Sequence, residues 1–254
     1  MSNISAPKWD VEIDSLWFAC PTLRTSDLNV AIKIGQGVDI GWISSVTVTL
    51  FYGRSLIGEM TLENEIFNIS KYEDILYLEM GEFEIEDMIA FKNFVRDIMP
   101  KPIQKGQPDE GKPTAKLELI EKGHKLTMTI DLRGIGCFET TAPLARVTGT
   151  SIEITFTVFN TAAVAFFFEE VKFSLRKDQN ILALVSGEFN IDANGERGNR
   201  CVLKGRIFAR SQLHGKATLT ASELEDHNNS WFVHAIRELE IEVDLDQVIV
   251  CEDE

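Results

Sequence analysis

The sequence is short of cysteine, histidine, proline and positive charge, and it contains no long apolar run. Its 4 cysteines, Cys20, Cys137, Cys201 and Cys251, lie far apart without a Cys-x-x-Cys pair. That spacing removes the usual zinc and dithiol motifs and leaves buried free thiols as the expectation. The 4 histidines, His124, His214, His227 and His234, share no short metal-ligand spacing, so neither a metal nor another cofactor is expected. Solvated side chains are the reading for His124 and His214, which fall in turn or strand-edge contexts. Only 25 Lys and Arg stand against 40 Asp and Glu, a formal charge of -15. Such a surface repels nucleic-acid backbones and anionic membranes, so no nucleic-acid partner is expected unless a local basic strip breaks the rule. No segment is apolar for the length of a membrane span, and the first thirty residues lack a basic start followed by an apolar core. The chain as given therefore reads as cytoplasmic, without a transmembrane segment.

What is present is a globular composition, 44% hydrophobic and 26% charged, which excludes disorder, collagen and coiled coil as whole-chain descriptions. Period-two alternation dominates. Val46 to Tyr52, Lys116 to Glu121, Lys125 to Leu132, Ser151 to Phe159, Glu170 to Leu175, Arg200 to Arg210 and Glu238 to Leu245 switch between apolar and polar, as strands with one buried face do. Turn signals separate them: Tyr52-Gly53-Arg54, Glu121-Lys122-Gly123-His124, Lys177-Asp178-Gln179-Asn180 and Ala193-Asn194-Gly195. The class expected is all-β, antiparallel. Glu84 to Met99 instead sets Ile85, Met88, Ile89, Phe91, Val95 and Ile98 at helical spacing, and Pro100 stops it. A second short helix is expected over Asn229 to Arg237. Pro100 to Pro113, rich in proline and glycine, reads as an exposed loop and the first site of proteolysis.

The two halves overlay at an offset of roughly 120 to 140 residues. Asn29 to Ile34, a loop, Ile43 to Tyr52 and Leu56 to Met60 match Ser151 to Phe159, a loop, Phe168 to Leu175 and Ile181 to Leu184. Later, Ala90 to Ile98 matches Ser230 to Ile236, an aromatic helix in each half. Two tandem β-sandwiches follow, 1–143 with a helix near 84–99 and 149–254 with a helix near 229–237, sharing one strand order and meeting near Pro143 to Gly149.

The second half, with Val158-Phe159-Asn160-Thr161-Ala162-Ala163-Val164-Ala165-Phe166 after one strand and Val171 to Leu175 in the next, resembles the type-two late-embryogenesis-abundant (water-stress and hypersensitive-response) domain family, in its fungal membrane-anchored variety. In that family an Asn-Pro dipeptide opens the loop after the first core strand. Here Asn160 is kept and Thr161 replaces the proline, while the first half has Gly35-Gln36-Gly37 there and keeps the small-residue return at Leu56-Ile57-Gly58. The resemblance implies immunoglobulin-like or fibronectin-like sandwiches, often tethered beside a membrane by an N-terminal helix that the first thirty residues do not encode. The sequons at Asn3, Asn68 and Asn228 would matter only if such an anchor placed the chain in a lumen.

Catalytic motifs do not assemble. Gly35-Gln36-Gly37-Val38-Asp39-Ile40-Gly41 is one residue too long for a dinucleotide fingerprint, and Gly53 to Gly58 fails as a nucleophile elbow. With no nucleophile and base pair, the expectation is a non-enzymatic binding module. Two classes of partner compete. A lipid or other apolar ligand would enter beside Phe166, Phe167, Phe168, Phe91, Phe94, Trp231 and Phe232, under the Ile85 to Ile98 helix. Three successive aromatics cannot all face one side of a strand, so burial of the cluster against the other half or the Trp231 helix is the competing reading. Alternatively, a protein partner would use strand edges or the acidic strand, where Glu238, Glu240, Glu242, Asp244 and Asp246 share one face. Like charges along a strand need balancing, and Arg200, Lys204, Arg206 and Arg210, equal in parity, are the expected neighbours.

Overall fold

A computed structural model describes residues 8–20, 22–34, 41–69, 75–99, 114–120, 125–133, 138–193, 195–223 and 231–251. The expected loop from Pro100 to Pro113 lies outside these residues, as do His124, Cys137 and His227. The chain is mostly β. In order come β1 (Lys8–Ala19), β2 (Thr25–Lys33), β3 (Gly41–Tyr52), β4 (Ser55–Ile69), β5 (Ile75–Glu84), α1 (Met88–Ile98), β6 (Thr114–Ile120), β7 (Lys125–Asp131) and β8 (Glu139–Thr140). The second half holds β9 (Leu144–Thr148), β10 (Ser151–Asn160), β11 (Val164–Lys177), β12 (Asn180–Ile191), β13 (Gly195–Ile207), β14 (Lys216–Glu223), α2 (Trp231–Arg237), β15 (Glu240–Asp244) and β16 (Ile249–Cys251). Each alternating segment named from sequence has a strand at its centre, though Leu132, Phe208 to Arg210, and Glu238 and Leu245 lie beyond the strand ends and Glu121 lies outside the described residues.

Pairing in the two halves follows one scheme at first. β2 lies between β1 and β5 as β10 lies between β9 and β13, and β3 pairs β4 as β11 pairs β12. The halves then diverge. The first runs through α1 to β6 and β7 and sets β7 parallel beside β3, whereas the second runs directly to β14, antiparallel beside β11, before α2 and β15. The aromatic helices therefore do not occupy the same serial position in the two halves.

The ladders of the two halves are continuous, which corrects the expectation of separate, purely antiparallel sandwiches. β1 carries the connection. Lys8 to Glu12 pairs β6, Glu12 to Ala19 pairs β2, and Leu16, Trp17 and Phe18 pair in parallel with Val164, Ala165 and Phe166 of β11. One mixed sheet thus runs from β16 to β4 through both halves. A bulge at Asp14 lets β1 serve both. It shifts parity, so Trp9, Val11 and Ile13 face inward before it and Leu16 and Phe18 after it. β8 and β9 both pair β10, so the sheet of the second half starts at Glu139, ahead of the boundary expected from sequence.

α1 has a physical start and stop. The Asp87 carboxylate accepts from the Ile89 and Ala90 amides at 3.0 and 2.9 Å, a cap worth about 1 kcal/mol. Met99, held by the following proline, is already extended at φ -67 and ψ 144. The inward face is Ala90, Phe91, Phe94, Val95 and Ile98; Ile89, assigned to the apolar stripe from spacing, points to solvent instead.

Candidate functional site

Two places collect chemistry, an aromatic cluster where the halves meet and a groove on the outer face of the second half. In the cluster, Phe18 of β1 stacks on Phe166 of β11 at 5.4 Å between ring centres. Phe91 of α1 meets Trp231 of α2 edge-on at 4.6 Å, and Phe166 also approaches Phe94, Phe138, Phe168 and Trp231 within 6.5 Å. Tilted and edge-on pairs of this kind add about 0.5–1.5 kcal/mol each to the burial of the rings. Phe18, Phe91, Phe94, Phe166, Phe168 and Trp231 are all at most 1% exposed.

The triple phenylalanine divides as strand geometry requires. Phe166 and Phe168 face inward, and Phe167 is half-buried on the other side. A bulge follows, with Glu169 at φ 58 and its amide donating to Asn190 Oδ1 at 3.0 Å. It restores inward parity at Val171, Phe173 and Leu175. The structure thus brings together Phe91, Phe94, Phe166, Phe168 and Trp231 of the residues named from sequence. Phe167 is left out of the cluster, and the Phe232 side chain lies outside the described residues. Phe18 was not anticipated; the bulge in β1 breaks the alternation that would have marked it.

Hydrogen bonds fasten the cluster at its margins. Trp231 Nε1 donates to the Thr25 carbonyl at 3.1 Å and its backbone amide to the Thr22 carbonyl at 3.0 Å, seating α2 on the β1–β2 turn. Tyr52 donates from its hydroxyl to Asp97 at 2.6 Å, tying the β3–β4 hairpin to α1, and burial followed by this bond pushes the phenol up to about 12. Asn160 is fully buried. Its Nδ2 donates to the carbonyls of Val164 and Asp192 at 2.6 and 2.7 Å, and its Oδ1 accepts from the Ala162 amide at 2.9 Å. The residue named from the family resemblance therefore shapes the β10–β11 connection without needing the proline.

The acidic strand is organised differently from expectation. β15 pairs β14, whereas β13 lies between β10 and β12, so Arg200, Lys204, Arg206 and Arg210 do not adjoin it. Lys216 supplies the charge instead, at 2.6 Å from Glu242, and that bond raises the Lys216 pKa. The row of five carboxylates is also broken. Glu238 precedes the strand, Asp244 accepts from the Asp246 amide and from Gln247 Nε2, and Asp246 accepts from the Gly215 amide. His214 is exposed, with its ring nitrogen 3.2 Å from Lys177 Nζ. Among the described residues no group of three or more His, Cys, Asp and Glu could hold a metal ion. Of the thiols, Cys201 is buried and pushed up to about 12 by desolvation, but Cys20 and Cys251 are exposed, which corrects the expectation of buried thiols.

The groove measures about 580 Å³ and is lined by Arg146 and Thr148 of β9, Ser151, Ile152 and Glu153 of β10, Lys204 and Gly205 of β13, and Cys251 of β16. Cross-strand register sets Arg146, Glu153 and Lys204 in one row, and Thr148, Ser151 and Arg206 in the next. Gly205 is required there, since a Cβ would run into the Leu184 carbonyl. Sequence reasoning found the β13 cations but not Arg146; the shared parity of Arg146 and Thr148 was the signal available.

No family model matches the chain, and no curated protein does. Three solved structures show distant likeness. A DUF3823 family protein from Parabacteroides merdae shares 10% identity over 71% of this chain and 90% of its own, at a TM-score of 0.23. Tandem immunoglobulin domains of titin share 9% over 97% and 100%, at 0.22. CBD12 from CALX1.2 shares 11% over 94% and 96%, at 0.20. Likeness at these scores carries no argument about this chain. No helix among the described residues is long and apolar enough to cross a membrane, which says nothing of strands.

Proposed function

We propose that the chain is a non-enzymatic protein-interaction scaffold, built of two immunoglobulin-like or fibronectin-like sandwich units that share β1 and act through their outer faces and edges. The observation that carries this reading is the filled interior. The aromatic rings are packed against one another, and an apolar ligand entering beside Phe166 or under α1 would have to part them. Exposed apolar side chains occur in both halves, Trp42 and Tyr77 among them in the first, and those of the second half lie at its periphery. Leu144, Ile249 and Val250 are exposed on the β9–β16 edge, and Ile181, Leu184 and Phe208 on the β12 side. Edge strands with exposed apolar side chains are surfaces on which partner chains dock. The resemblance to type-two late-embryogenesis-abundant domains is compatible with this assignment, since it supplies the sandwich and no catalytic signature.

Native mass spectrometry of the purified chain tests the reading. The expected result is the bare polypeptide mass, with a thermal midpoint unchanged by solvent extraction of lipids. A co-purified apolar molecule whose removal lowers the midpoint would return the apolar-ligand reading to first place.

A further inference from the structure

The outer groove of the second half is positive on a chain whose formal charge is -15. Among the described residues, Arg146 and Lys204 line it against one carboxylate, Glu153, which lies 3.5 Å from Lys204, and Arg206 stands beside it, in register with the lining residue Ser151. Among the described residues, Arg146 and Arg206 enter no ion pair and no side-chain hydrogen bond. Both are exposed, and the hydroxyls of Thr148 and Ser151 stand between them in the register. A chain under pressure only to balance its own charge would spend these guanidinium groups on some of its 40 carboxylates.

We propose that this groove docks a short acidic segment of a partner protein, its carboxylates against Arg146, Lys204 and Arg206. The proposal rests on the scaffold reading and names the partner's chemistry. The groove crosses four neighbouring strands, β16, β9, β10 and β13, a span of about 14 Å at the usual interstrand spacing, or about four residues of extended peptide. Planar guanidinium forks suit carboxylates in pairs. Exposed Leu144 and Ile249 at one margin, and Leu184 and Phe208 at the other, provide apolar contacts that a peptide has and a free anion lacks. A long polyanion is disfavoured, because the phosphates beyond the groove would meet the negative remainder of the chain. Glu153, at the centre of the row, opposes an incoming carboxylate and so sets the affinity.

The test is fluorescence anisotropy of labelled hexaglutamate at low ionic strength, with labelled hexaglutamine and hexathymidylate as controls. Wild-type chain binds hexaglutamate and not hexaglutamine. Arg146→Glu with Arg206→Glu weakens binding by about tenfold or more, and Glu153→Gln tightens it by about threefold. The same charge change placed elsewhere, Lys116→Glu with Lys125→Glu, leaves it within about twofold. Equal loss in both double variants would show attraction to the overall charge and overturn the site. So would tighter binding of hexathymidylate, or full displacement by inorganic phosphate at matched charge. Self-association of the chain that Arg146→Glu with Arg206→Glu abolishes would make the occupant a second copy and likewise overturn the peptide assignment. If hexaglutamate does not bind at all, the groove assignment falls, while the scaffold reading still stands or falls on the native mass measurement.

Discussion

Truncating Trp231 to alanine probes the junction between the halves at its densest point. The side chain is 1% exposed, meets Phe91 at 4.6 Å, Phe166 at 6.0 Å and Phe18 at 6.1 Å, and holds the Thr25 carbonyl through its indole nitrogen. A buried indole removes about 150–250 Å² from water, worth about 4–6 kcal/mol at about 25 cal/mol per Å². Partial collapse of the cavity offsets some of this, and the orphaned Thr25 carbonyl adds about 1 kcal/mol. The expected loss is therefore about 4 kcal/mol, a fall of about 10 °C in thermal midpoint for a chain of this size. Urea unfolding followed by far-ultraviolet circular dichroism reads it, with Trp231→Phe expected to retain about half of the stability lost by alanine. A loss below about 1 kcal/mol for Trp231→Ala would mean that α2 is not seated on β1 and β11, and the packed-interior argument would fail with it.

Three further outcomes follow from named contacts. A double-mutant cycle of Lys216→Glu and Glu242→Lys should show a small favourable coupling that fades with salt, whereas a cycle of Lys204→Glu and Glu240→Lys should show none, because β13 and β15 are not neighbours. Tyr52 is held protonated in the folded chain up to about 12 against an ordinary 10.0, so its contribution is fully present below about 10 and is lost as pH rises toward about 12. Stability measured across that window should fall less in Tyr52→Phe than in wild type, and equal slopes would refute the Tyr52–Asp97 tie. Thiol labelling of the native chain should modify Cys251 readily and spare buried Cys201 until unfolding; early labelling of Cys201 would place it outside the core.

Faces were legible in the sequence, and neighbours were not. Period-two alternation placed Ser151 to Phe159 and Lys125 to Asp131 in strands with the correct side buried, and helical spacing found α1 and its end, although the helix starts at Met88 rather than at Glu84, which closes β5. The same alternation says nothing about which strand lies alongside. The carboxylates of β15 were therefore assigned to the cations of β13 on parity alone, when the chain actually returns through β14 and meets Lys216. β1 was missed for a related reason. Its bulge at Asp14 resets the alternation half-way, and that irregularity is what allows one strand to pair β6 and then β11. The aromatic residues were visible as a group, but their mutual burial depends on the parallel β1–β11 contact, which joins residues nearly one hundred and fifty positions apart, a separation no local pattern reports.

Hydrogen exchange along the β1–β11 junction tests the closed interior most directly. The Leu16 amide donates to the Ala163 carbonyl at 2.8 Å, and Phe18 and Phe166 stack immediately beyond it. If the halves form one body with a filled interior, the amides of Leu16 to Phe18 and Val164 to Phe166 exchange only through global unfolding, with the free energy measured by urea. Exchange of these amides at a much lower free energy, while β3 and β13 stay protected, would show that the junction opens by itself. The cluster would then be a gate between the halves, and the chain would have to be read as a receptor for an apolar ligand.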